Sequence, residues 1–110
     1  MKQYVIDELR PADHQRIKDY LDAHFGPADM ETLYWIPLEP MCYTPDQQMH
    51  KECHPLYLVV QLTPEALALE LPVRTKNRIR CDCIRYADEA QKKWGMDFID
   101  AILEKLEIIH

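Results

Sequence analysis

Apolar and polar positions cycle along this chain with a period that changes from segment to segment, and each period predicts an element. Tyr4-Val5-Ile6, between polar flanks, reads as a first strand. A helix is signposted from Pro11: proline sits in the first turn, where it sacrifices no hydrogen bond, and Asp13 complements the positive end of the helix dipole. Ile17, Tyr20, Leu21 and Phe25 then fall at i, i+3, i+4 and i+8, and Gly26-Pro27 ends the helix. Leu33-Tyr34-Trp35-Ile36, aromatic and β-branched and closed by Pro37, predicts a second strand. Thr44-Pro45-Asp46-Gln47 has the form of a capping box and predicts a short helix running to Cys53, where Pro55 disfavours helical geometry at His54. Tyr57 to Leu62 is a third strand.

Two segments support more than one reading. Leu67, Leu69, Leu71 and Val73 alternate with Ala68, Glu70, Pro72 and Arg74, which favours a hairpin partner for the third strand with Pro72 at an edge. The rival is a helix capped by Thr63 and led by Pro64, since Glu, Ala and Leu are strong helix formers. Ile79, Cys81 and Cys83 alternate with Arg80, Asp82 and Ile84, which favours a strand over 78–86 against a helix that would set Arg78 and Arg80 at its own positive end. Asp88 followed by Gln91 caps a last helix. Its apolar stripe is Ala90, Trp94, Phe98, Ala101, Ile102, Leu106 and Ile109, widened by Ile99 and Leu103. The expected order is β-α-β-short α-β-β-β-α. That is an α+β fold, one small domain over 1–110, with a mainly antiparallel sheet and two main helices packed on one face.

Composition narrows the chemistry more than the fold. A chain of 110 residues, 47% hydrophobic and 29% charged, closes a single core rather than remaining disordered. The longest uninterrupted apolar runs are only four or five residues, such as Leu56 to Val60, so no membrane span is expected. The first seven residues lack the apolar centre of a signal peptide, which points to the cytoplasm and to four cysteines held as thiols. The chain contains no serine, which excludes serine-nucleophile mechanisms. Its two glycines, Gly26 and Gly95, stand alone, so phosphate-cradling and dinucleotide-binding loops are excluded too.

The densest chemistry lies between Cys42 and His54. On a continuous helix His50, Cys53 and His54 share one face, Cys42 can fold back across the turn, and Cys81 and Cys83 project from one face of a strand. Thiolate and imidazole together suit zinc, and a cysteine beside a histidine suits thiol chemistry. The spacing does not match paired zinc-ligand motifs, however, and cysteines are often small buried hydrophobes. Buried core is therefore the expected role, with no cofactor, and the zinc or thiol site is the alternative.

Net charge is −6, unevenly spread: residues 74–85 carry a local excess of about +4 against roughly −10 elsewhere. Arg74, Lys76, Arg78 and Arg80, spaced by two, can grip an anion or a nucleic-acid phosphate, although a solvated turn paired with acids such as Asp88, Glu89 and Asp97 is the expectation. The acidic remainder disfavours nucleic acid. The carboxylate pairs Asp19/Asp22 and Asp97/Asp100 read as solvated helix faces. Two tryptophans, six tyrosines and five methionines in a chain with few catalytic options leave a non-enzymatic interaction module, binding a protein partner or a second copy, as the expected function.

Overall fold

The computed structural model describes residues 3–76 and 86–108. In chain order these form β1 (Gln3–Ile6), α1 (Pro11–Phe25), β2 (Leu33–Pro37), α2 (Pro45–Met49), β3 (Leu56–Leu62), β4 (Leu67–Glu70), β5 (Arg74–Thr75) and α3 (Glu89–Lys105). One antiparallel sheet runs in the order β1-β4-β3-β2, and β5 continues along β3 beyond β4. The segment after Thr63 is thus the hairpin partner of β3, as its period of two predicts. Thr63 and Ala66 close the turn through Thr63 N–H to Ala66 O at 2.9 Å. Residues 77–85, which hold most of the expected strand over 78–86, lie outside the described residues.

Both main helices cover one face of the sheet. Leu56, Leu58, Val60 and Leu62 point into that layer, each at most 4% exposed, and meet Ile17 and Leu21 of α1 and Ile99, Ile102 and Leu103 of α3 in one core. The buried axis of α3 is turned slightly from the expected stripe. Gln91, Gly95, Ile99, Ile102 and Leu103 are buried, Ala90 and Ala101 are exposed, and Trp94, Phe98 and Leu106 flank the core. The reason is Gly95, whose missing side chain lets the helix rest directly on Leu69 and Leu58.

Each helix is tied to the sheet by a tyrosine. Tyr34 of β2 donates to Asp22 of α1 at 2.6 Å, and Tyr4 of β1 donates to Asp100 of α3 at 2.9 Å. These carboxylates are therefore packing ties rather than solvated pairs: Asp22 also accepts from Lys18 at 2.8 Å, while Asp97 is held by Lys93. Burial, and then the bond to aspartate, push both phenols above the ordinary tyrosine range. A raised phenol favours the neutral form in the folded state. Its contribution is complete below the ordinary tyrosine pKa of about 10 and is lost as pH rises through the folded value. Tyr4 and Tyr34 are expected to ionise above the ordinary tyrosine range in an ultraviolet titration, together with alkaline unfolding. Tyr34→Phe should remove part of that late phase; a titration with no phase above the ordinary tyrosine range would contradict these ties. At the acid end the bonds from Lys18 and Tyr34 hold Asp22 below the usual carboxylate range, so its contribution disappears as pH falls through that lowered value.

The connection from α1 to β2 is strained. Gly26 ends the helix at φ 81°, where glycine carries no penalty, but Met30 and Glu31 follow at φ 49° and 69° without that freedom. They form the tip of a tight turn closed by Thr32 N–H to Asp29 O, and both tip residues have the positive φ of a type I′ turn. Met30→Asn with Glu31→Gly is expected to raise stability by about 1 kcal/mol, because relief of strain exceeds the entropy glycine adds to the unfolded chain. Chemical denaturation measures this, and a loss of stability would show that the Met30 or Glu31 side chain holds the turn.

Beyond that turn, β2 is an edge strand with few free groups. Leu62 N–H bonds to Thr32 O and Leu38 N–H to Leu56 O, so Leu33, Trp35 and Pro37 turn their backbone groups away from β3. Leu33 exchanges both bonds with Asp29, and Pro37 has no N–H to offer. The edge is blunted by local chemistry.

Candidate functional site

The capping box at Thr44 forms as its sequence predicts. Thr44 Oγ1 accepts from Gln47 N–H, and Gln47 Oε1 accepts from Thr44 N–H at 3.0 Å. The helix it starts is shorter than expected, however. α2 ends at Met49, His50 leaves helical geometry at φ −95° and ψ 70°, and Lys51–Cys53 forms a separate 3₁₀ turn. The expectation of one helix continuing to Cys53 is corrected by this break, and with it the shared face for His50, Cys53 and His54 is lost.

Those three residues have different surroundings. His50 caps α2 with its Nδ1 3.9 Å from Asp46. Cys53 is fully buried in the core. His54 returns over the turn, its Nε2 2.6 Å from Gln47 O and its ring edge-on to Tyr43 at 4.6 Å. Because a carbonyl only accepts, Nε2 carries the proton and the neutral ring has its lone pair on Nδ1. Cys42 ends the 3₁₀ turn Pro40–Cys42, half-buried, and burial followed by the charges of Glu39 and Asp88 pushes its thiol up. At neutral pH it is held as a thiol, the less nucleophilic form. Cys81 and Cys83 lie outside the described residues. Among the described residues, no three His, Cys, Asp or Glu side chains converge on a common point as a metal site requires.

What the loop does build is a cleft of about 400 Å³ lined by Pro40, Tyr43, Gln48, His54 and Pro55. Its walls are fixed from behind. The Tyr43 hydroxyl accepts from Leu56 N–H at 3.0 Å, pinning the ring to the start of β3. Thr75 of β5 donates to Cys53 O at 2.7 Å, and Gln48 donates to Tyr43 O at 3.2 Å. Met41 and Met49, the chain neighbours of lining residues Pro40 and Gln48, are 83% and 80% exposed. The rings and prolines give the cleft a mainly apolar wall, and the exposed thioethers belong to the same loop. Of the lining residues, the sequence indicated His54 as chemistry-bearing. It did not indicate Pro40, Gln48, Pro55 or the two methionines, whose common signal is their place in the proline-punctuated loop over 37–55 rather than any spacing.

Behind the cleft lies a buried polar junction. Gln47 of α2 and Gln91 of α3, 1% and 0% exposed, are the third-position glutamines of two capping boxes. Gln91 Nε2 donates to Gln47 Oε1 at 2.7 Å and to Cys42 O at 3.0 Å, and its Oε1 accepts from Asp88 N–H at 3.1 Å. The loop is thereby fastened to the N-terminal end of α3.

The basic stretch is engaged where it is described. Arg74 pairs with Glu70 at 2.8 Å rather than with the helix acids, and Glu89 and Asp97 pair with Lys92 and Lys93. Lys76 sits 5.4 Å from the ring centre of Trp35 and 4.9 Å from that of Tyr57, over two rings that meet edge to face. Arg78 and Arg80 lie outside the described residues. Among the described residues no helix is long and apolar enough to cross a membrane. No protein-family model, no curated protein and no solved structure matches the chain.

Proposed function

We propose that this chain is a small cytoplasmic interaction domain without catalytic activity, which takes a segment of a protein partner into the cleft between Pro40 and Pro55. The observation that carries this reading is the cleft itself: Tyr43, His54 and proline walls held by bonds to β3 and α2, on a loop that also exposes Met41 and Met49. Ordinary soluble surfaces leave single apolar side chains exposed, whereas a cleft with an apolar wall on a loop that carries thioethers suits an apolar side chain from outside. The composition supports the same reading, since serine, phosphate-loop and dinucleotide chemistries are absent and the Cys42 thiol is held in its less reactive form. Pairing with a second copy along the β2 edge is less favoured, because β2 is blunted by Asp29 and Pro37.

The reading is tested by selecting binders from a random peptide library against the whole protein and mapping them by amide chemical shifts. Selected peptides are expected to perturb Tyr43, Gln48 and His54, and Met41→Asp with Met49→Asp should weaken binding about tenfold, as the loss of one or two apolar anchors does. Peptides that bind while leaving residues 40–55 unperturbed would place the interaction elsewhere.

A further inference from the structure

We infer that the open edge of β1 pairs with β1 of a second copy, the two strands running antiparallel about a two-fold axis at Val5. This interface is separate from the cleft. The register decides which backbone groups of β1 are free. Thr63 and Ala66 exchange both hydrogen bonds at the turn between β3 and β4, so Gln61 and Ala68, two residues along, form the next bonded pair. Ala68 is thereby turned toward β3, while Leu67 and Leu69 are turned toward β1, where they meet Ile6 and Tyr4. Gln3 and Val5 stand opposite residues already taken by β3, and they turn N–H and C=O outward. Among the described residues no strand pairs with that side of β1. The Val5 side chain, on the sheet face away from the helices, is 43% exposed. The other edge of the sheet is closed by Asp29 and Pro37, and this one carries neither device.

The charges at the two ends of the strand select the occupant. Lys2 directly precedes β1 in the sequence, and Asp7 and Glu8 follow it. Both acids are exposed, and neither forms an ion pair among the described residues. Two such strands laid antiparallel about Val5 set Val5 against Val5, Tyr4 against Ile6 and Gln3 against Asp7. They also bring the cation ahead of one strand to the acids behind the other. The strand is thus complementary to its own copy, by apolar side chains at the centre and by charge at both ends. The sheets then join through their β1 strands, with the helices of both copies on the same face. The net charge of −6 opposes approach at long range, but ordinary salt screens it beyond about 10 Å, whereas the end charges meet directly.

Light scattering and amide hydrogen exchange on the full chain test the inference together. The mass is expected to rise toward that of a dimer from about 10 µM up to the millimolar range, as for a small interface. The Val5 amide, bonded only across the two-fold, should exchange more slowly as concentration rises, whereas Tyr4 and Ile6 are protected by β4 at every concentration. Val5→Pro removes the outward N–H without touching a bond to β4, so it should give a monomer whose urea midpoint stays close to the native one. Charge reversal gives the sharper check. Lys2→Glu in one protein, and Asp7→Lys with Glu8→Lys in another, should each weaken self-association about tenfold. A mixture of the two should pair about as well as the native chain, because every cation again meets an acid. A chain that stays monomeric over the whole range would overturn the inference. So would a dimer that survives Val5→Pro, or a mixture that associates no better than its components. A monomer in which peptides from the random library move the Val5 amide would overturn it in favour of a foreign strand at this edge. The cleft is read separately, from Tyr43, Gln48 and His54, so its failure and the failure of this pairing are distinguishable.

Discussion

Replacing Gly95 by leucine is expected to destabilise the protein by about 3 kcal/mol, the upper part of the range for overpacking a well-filled core. A Cβ added at this position would lie 2.7 Å from Leu69 Cδ2 and 3.1 Å from Leu58 Cδ1, and those leucines belong to β4 and β3, the two central strands of the sheet. Gly95→Ala adds one atom against the ends of two leucine side chains, which can rotate by a few tenths of an ångström. It also gains about 1 kcal/mol of helix propensity over glycine, so the net change should be small. Leucine adds three further carbons where the helix and sheet backbones already approach, and no rotation of Leu69 makes that room. Urea unfolding of both variants measures the contrast. If Gly95→Leu were tolerated within about 1 kcal/mol, α3 would not rest on the sheet through this residue.

The same glycine shows where the sequence was legible and where it was not. Period-two alternation identified β4 as the hairpin partner of β3, and Thr44 and Asp88 announced their capping boxes, because these signals arise within a few residues of chain. The expectation of a sheet behind α3 followed from the breadth of its apolar stripe. The centre of the α3 face was misplaced by one position because its contact is made by an absent side chain, and hydrophobic periodicity gives Gly95 no weight. At the candidate site the residue types were visible and the geometry was not. His50, Cys53 and His54 share a face only on a continuous helix, and the turn at His50 sends them to a cap, the core and a cleft wall. Gln47 and Gln91 were each read as local caps. That they also reach each other, 44 residues apart in the chain, is a tertiary fact that no local pattern encodes.

Gln91→Leu is expected to cost about 3 kcal/mol even though leucine has a similar volume, because the loss is in hydrogen bonds and not in packing. The glutamine side chain gives two bonds, to Gln47 Oε1 and Cys42 O, and receives one from Asp88 N–H. Leucine supplies none of them, and the first two acceptors lie on the loop that carries the cleft. Gln47 Oε1 keeps the bond from Thr44 N–H but loses the one from Gln91, which either substitution removes, so Gln47→Leu in the same background should add less than its separate effect, with a coupling of about 1 kcal/mol in a double-mutant cycle. Gln91→Glu distinguishes this junction from simple packing. A carboxylate placed against the oxygens of Gln47 and Cys42 is penalised in its charged form, so its folded pKa is raised and the neutral acid is favoured. The variant should therefore be weakest at neutral pH and recover as pH falls through that raised value, as its protonated oxygen regains the donor that Gln91 Nε2 supplied. The amide shifts of Tyr43 and His54 should move in both Gln91 variants, because the polypeptide that carries the cleft walls hangs from this junction. A Gln91→Leu protein that unfolds at the native urea midpoint, with those shifts unmoved, would mean that the loop is held by its apolar contacts alone.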